Sequence, residues 1–164
     1  MGQIPSLGEW LMAFRKLHAK ASKAQLSASD GVSYYRGRNE LAKLLFGLQQ
    51  LLLHSGQVPR QWIRIAHPVP VEVGFANVRI QGLTIDLSLG GFGTLLTKEP
   101  TLNELVRFTL KLPGAAPLEG QARVVEVKAS DVGYRTAFTF QALPEPDRER
   151  LELFIFDIVL ARVA

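Results

Sequence analysis

The sequence predicts an α+β fold that is mainly β: a helical hairpin over residues 1–56, then an antiparallel barrel or sandwich with a C-terminal helix over residues 57–164. Three patterns carry this reading. Apolar side chains recur at helical spacing through the first third, β-branched residues alternate with period two after about residue 65, and the chain ends on a second helical stripe.

From Leu7 to about Gln25, Trp10, Phe14, Leu17 and Ala21 follow one another at intervals of four, three and four, which aligns them on one face of a helix. Arg15, Lys16, Lys20 and Lys23 fall largely off that face. Ser27 to Gly31 supplies turn residues and a possible N-cap, so a connection is expected there. A second helix is expected from about Ser33 to Leu53, where Leu41, Leu44, Leu45, Leu48, Leu51 and Leu52 repeat the pattern and Ser55 and Gly56 stop it.

After Pro59 the pattern changes. Alternating or β-branched runs occur at 69–73, 78–80, 83–87, 93–97, 105–112, 121–128 and 134–141, with turn signals at Pro113-Gly114 and Ser130 to Gly133. Six or so strands about ten residues apart, with no helical pattern between them, point to antiparallel pairing. A small closed barrel is the economical form, because closure removes exposed edges. Pro144, Glu145 and Asp147 then suit a first helical turn, and Leu151, Phe154, Ile155, Ile158 and Val159 form its apolar stripe. Phe156, Leu160 and Val163 widen that surface, which suits a helix that seals the barrel's mouth or one that also packs against another chain.

Composition narrows the function. The 164 residues are 47% hydrophobic and 21% charged, enough apolar surface for a folded domain. The absence of cysteine excludes a disulfide framework, a thiolate metal site and a cysteine nucleophile. No signal sequence and no membrane-spanning run are apparent, so a cytoplasmic protein without membrane insertion is expected. Residues 1–64 carry nine basic and three acidic side chains, against ten and twelve in residues 65–164, which makes the first third the anion-attracting part. His18, His54 and His67 lack metal-ligand spacing and read as surface or turn residues. There is no nucleophile elbow or phosphate loop, and the glycines at 90, 91 and 93 lack the setting of a dinucleotide fingerprint. No enzyme, metal or cofactor is expected, and no nucleic-acid partner.

What remains is a pair of short motifs. Arg60 and Arg64 stand four residues apart just before the first strand, offering two permanently charged donor forks suited to phosphate and to guanine's acceptor edge. Asp86 and Ser88 follow at a strand end, alternating so as to face one side, and Gly90 and Gly91 allow close backbone approach. A carboxylate accepts from the donor edge of guanine, so the combination suits a guanine nucleotide. Taken singly, the arginines read equally as solvated charges, and the aspartate and serine as turn formers.

In this order and spacing, Arg60, Arg64, Asp86, Ser88 and Gly91 resemble the RxxxR and [DN]xSxxG motifs of the PilZ domain, a bacterial receptor module for cyclic di-GMP. The similarity extends over about residues 58–160. It implies a six-stranded antiparallel PilZ-like β-barrel with a C-terminal helix across one end. It further implies that Arg60 and Arg64 contact guanine and phosphate while Asp86, Ser88, Gly90 and Gly91 form the barrel-side wall. Pro59 stands where some relatives carry another arginine that influences ligand stoichiometry. Glu126 stands near a position that is aromatic in some relatives and stacks on a base, and Ala137 replaces a frequent glycine.

Two functions follow as expectations. One is a cyclic di-GMP receptor whose arginine-bearing linker orders on binding and reorients the helical extension. The other is a ligand-independent PilZ-like oligomerisation or adaptor module in motility or pilus assembly. In either, a homo-oligomer or protein partner is expected through the helical hairpin and the C-terminal helix.

Overall fold

The computed structural model of the chain describes residues 6–51 and 63–162. Helix α1 spans Leu7–Ser22 and α2 spans Ala28–Leu51; strands β1 Pro70–Gly74, β2 Arg79–Leu87, β3 Gly91–Leu96, β4 Leu105–Leu110, β5 Leu118–Ser130 and β6 Gly133–Gln141 follow, and helix α3 Glu145–Arg162 ends the chain. His54, Ser55, Gly56, Pro59, Arg60, Trp62 and Val163 lie outside the described residues, as do the side chains of Leu48, Leu51 and Leu52. Two compact units emerge: residues 64–158, and residues 1–63 together with 159–164.

In the helical unit, α1 begins with a reciprocal cap, Ser6 Oγ accepting from the Glu9 N–H while the Glu9 carboxylate accepts from the Ser6 N–H. Phe14 and Tyr34 stack at 5.5 Å, and Tyr34 and His18 share a buried 2.8 Å hydrogen bond. Helix α2 starts earlier than the sequence suggests. Ser27 Oγ accepts from the Asp30 N–H and the Ser27 carbonyl from the Gly31 N–H, so the expected connection at 27–31 is largely the first turn of α2. The oxygen-rich run that reads as a loop is a cap, and the periodicity of the leucines begins well inside the helix. Arg15 reaches across the same unit, donating to the Leu160 carbonyl at the end of α3.

The strands close into a barrel in the order β1-β2-β3-β6-β5-β4, every pairing antiparallel. The runs expected at 78–80 and 83–87 are one strand, β2, because Gly82 continues the pairing with Val71 on β1. The barrel interior is filled by alternate side chains. Val71 and Val73 enter from β1, Leu87 from β2, Phe92 from β3, Phe108 and Leu110 from β4, Val124 from β5 and Phe138 from β6, all buried. Phe92 and Phe138 stack at 4.9 Å, and Phe108 and Phe140 meet at 5.0 Å. Helix α3 adds Leu151, Ile155 and Phe156, also buried, and sets Phe154 against the His67 ring at 5.9 Å. Phe156 and Leu160 are buried.

Candidate functional site

The segment leading into the barrel is tied to β2 by backbone. Ile65 and Leu87 exchange both N–H to carbonyl bonds at 2.9 Å, and buried Thr84 donates its hydroxyl to the His67 carbonyl and accepts from the Val69 N–H. The bridge is antiparallel, so Arg64 and Asp86 flank it on the same face as diagonal neighbours, within reach of long side chains. Arg64 Nη1 stands 3.5 Å from Asp86 Oδ2, so residues 22 positions apart in sequence form an ion pair. Arg60, the other arginine of the motif, lies outside the described residues.

Asp86 is on the outer face of the barrel, since its neighbour Leu87 points inward and is fully buried. The register sets Asp86 beside Gly93, Gly93 beside Ala137, and Ala137 beside Glu126. Paired residues of adjacent strands share a face, so this row crosses four strands of the outer surface with two carboxylates at its ends and two small residues between them. The result is a shallow strip where a flat group can approach the sheet. A Cβ at Gly93 would lie 2.8 Å from Asp86 Oδ1, so the carboxylate occupies the space that a side chain there would need.

Ser88 is just beyond β2 and 9% exposed, with its hydroxyl turned into the tight bend that follows. Ser88 Oγ accepts from the Gly90 N–H at 3.1 Å and lies 3.4 Å from the Gly91 carbonyl, while the Ser88 N–H donates to that same carbonyl at 2.9 Å. In this structure the hydroxyl shapes the turn more than it presents a shelf. The Gly90 carbonyl accepts from the Phe140 N–H, which fastens the bend to β6. Gly91 has no room for a side chain at all: an added Cβ would fall 1.8 Å from the Phe138 carbonyl oxygen. The sequence signal at 86–91 thus divides into a charged group on the outer face of the barrel and a turn that holds the strand ends together.

One further group joins the cluster. Arg135 of β6 extends over the outer face, and its Nη2 lies 3.9 Å from the same Asp86 oxygen. Nothing in the local sequence marks it, because its approach to Asp86 depends on β6 pairing with β3. Its place opposite Leu95, two pairs along from Gly93–Ala137, becomes visible only with that register. Lys128, opposite Arg135 on β5, pairs with Glu126 at 2.9 Å.

Comparison with known proteins agrees with this architecture. The family model described as PilZ domain matches residues 59–157. No curated protein matches by sequence. The inhibitor of motility MotI/DgrA of Bacillus subtilis is similar in structure, with a TM-score of 0.59 and 18% identity over 65% of this chain and 54% of that one. YcgR of Escherichia coli, solved in complex with c-di-GMP, gives 0.56 and 21% over 65% and 52%. The K. pneumoniae MrkH–c-di-GMP complex gives 0.58 and 18% over 65% and 55%. The chain spans about half the length of these proteins.

Proposed function

Since the chain belongs to the PilZ domain family, we propose that it is a receptor for cyclic di-GMP and carries no catalytic step of its own. The observation that supports this most directly is the 3.5 Å approach of Arg64 to Asp86 on the outer face of the barrel, beside the strip formed by Gly93 and Ala137. A guanine laid on that strip donates its N1–H and N2–H₂ edge to the Asp86 carboxylate. Arg64, and Arg60 with it, turns its guanidinium to guanine and to the phosphates, where charge-assisted bonds are the strong ones. The backbone at Gly90 and Gly91 gives close approach, and Ser88 keeps the turn in shape.

The two arginines are on the stretch that joins the helical unit to the barrel. Binding fixes this stretch, and a ligand that binds one arrangement of it better than the others shifts the population toward that arrangement. The helical extension is then the output element, reoriented when the linker orders.

Calorimetric titration tests the receptor reading. Cyclic di-GMP binds at micromolar concentration or below, while GTP and cyclic di-AMP bind at least about tenfold more weakly, a difference of about 1.4 kcal/mol. Arg64→Ala and Asp86→Ala each remove about 1.5–3 kcal/mol of binding. Absence of any heat with cyclic di-GMP at tens of micromolar, or affinity indifferent to both substitutions, overturns it.

A second reading, association without ligand, has its own support in the helical unit. Leu7, Met12 and Val32 are 66%, 60% and 62% exposed, and Met12, Ala13 and Leu17 line a mainly apolar groove of about 440 Å³ there. Light scattering with and without nucleotide separates the two. An oligomer that persists in a protein unable to bind cyclic di-GMP favours the adaptor.

A further inference from the structure

We infer that Arg135 is a nucleotide-binding residue, a barrel-mounted guanidinium that takes a phosphate oxygen of the ligand when guanine occupies Asp86. This rests on the receptor reading above and adds a contact outside both sequence motifs. Two features of its position carry the inference.

The first is charge. Arg64 and Arg135 approach the same Oδ2 of Asp86, at 3.5 and 3.9 Å, so two guanidinium groups face one carboxylate. The nearby Lys128 pairs with Glu126 at 2.9 Å, so Arg135 is the charge that β6 directs at Asp86. At 3.9 Å the Arg135 contact is electrostatic, well beyond the 2.7–2.9 Å of a charge-assisted hydrogen bond, so the fork keeps donors for an incoming anion. A guanine edge bonded to Asp86 competes with the arginines for the carboxylate. The phosphates of the same ligand then supply acceptors for the Arg135 guanidinium.

The second is mounting. Arg135 is the third residue of β6, held in the ladder on both sides, opposite Leu95 of β3 and Lys128 of β5. Its Cα is fixed by the barrel before ligand arrives, whereas Arg64 precedes the first strand. A contact whose backbone is already ordered loses less freedom on binding than one that must be recruited. Arg135 also stands two pairs from the Gly93–Ala137 strip and so on the same outer face, a distance a long side chain spans.

The test is titration of the whole protein and its Arg135→Ala, Arg135→Lys and Arg64→Ala variants with cyclic di-GMP, each variant checked for an unchanged unfolding midpoint. Arg135→Ala weakens binding about tenfold or more and flattens the salt dependence of the affinity, and Arg135→Lys recovers part of both. In an Asp86→Asn background the Arg135→Ala loss persists, because the contact is to ligand and not to the carboxylate. The inference falls if wild type binds and Arg64→Ala weakens it while Arg135→Ala stays within about twofold, or if the loss vanishes with Asp86→Asn. Failure of wild type to bind at all overturns the receptor reading and this contact together.

Discussion

At the scale of single residues, two glycines two positions apart have opposite jobs. An added Cβ at Gly91 meets a backbone carbonyl, Phe138 O at 1.8 Å, with Phe138 C at 2.9 Å and the Thr139 Cα at 3.1 Å behind it. Backbone held in a ladder has no rotamer by which to escape, so Gly91→Ala separates β3 from β6 at their closest point. We expect it to destabilise the protein by about 2 kcal/mol or more in denaturant unfolding. Gly93→Ala meets only the end of the Asp86 side chain, at 2.8 Å, which can rotate away. Its cost in stability is below about 1 kcal/mol, but it moves the carboxylate and puts a methyl on the strip, so its effect appears in cyclic di-GMP titration. If the two substitutions were equally destabilising, the division between a structural and a ligand-facing glycine would be wrong. The sequence flags both glycines in one short run, and only the register tells them apart.

At the scale of elements, Thr84 fastens the segment bearing Arg64 to the barrel. Its hydroxyl bonds the His67 carbonyl at 2.7 Å and the Val69 N–H at 2.9 Å, and it is 4% exposed. Thr84→Val keeps the shape and removes both bonds, at a cost of about 1–3 kcal/mol for buried groups left unpaired. Hydrogen exchange should quicken at Val69 and at Ile65, and cyclic di-GMP should bind more weakly because Arg64 is less well placed. The helical pair has its own electrostatic clamp. The Lys20 ammonium, 3.2 Å from Asp30, and the Ser27 hydroxyl and N-terminal backbone hold the Asp30 carboxyl below its ordinary 3.8. A depressed carboxyl favours the folded state above its ordinary value and loses that contribution as pH falls through the lower folded one. A carboxyl-carbon NMR titration should therefore give Asp30 a midpoint below 3.8 that moves upward in Lys20→Ala. Most of these elements were legible: the aromatic stripe Trp10–Phe14, the alternation at Val71 and Val73, and the turn at Ser130 to Gly133 all point to what forms. Boundaries were not, where capping side chains such as Ser27 imitate a loop. Nor was the approach of Arg135 to Asp86, because a contact made through two strand registers leaves no local trace in sequence.

At the scale of the whole molecule, the proposed signal runs from the barrel unit to the helical unit. Arg64 opens the barrel unit, and Arg60, four positions earlier in the sequence, lies outside the described residues. The two units have separate cores, one built on Phe14 and Tyr34, the other on Phe92, Phe108 and Phe138, and the proposed linker mechanism requires that ligand binding be felt in both. Ligand bound only to folded protein stabilises it by RT ln(1 + [L]/Kd), about 2.7 kcal/mol at a hundredfold excess over Kd. Where that free energy appears reports how far the coupling reaches. If cyclic di-GMP acts on the barrel alone, the barrel transition rises and hydrogen exchange in α1 and α2 is unchanged. If the linker transmits binding, protection at Phe14 and Tyr34 changes with saturation, and Arg60→Ala uncouples it while leaving the gain at Phe92 and Phe138 largely in place. Exchange followed by mass spectrometry with and without ligand resolves the two units in one experiment. Protection gained in the barrel with none lost or gained in the helices would sink the output role of the extension and leave the receptor intact.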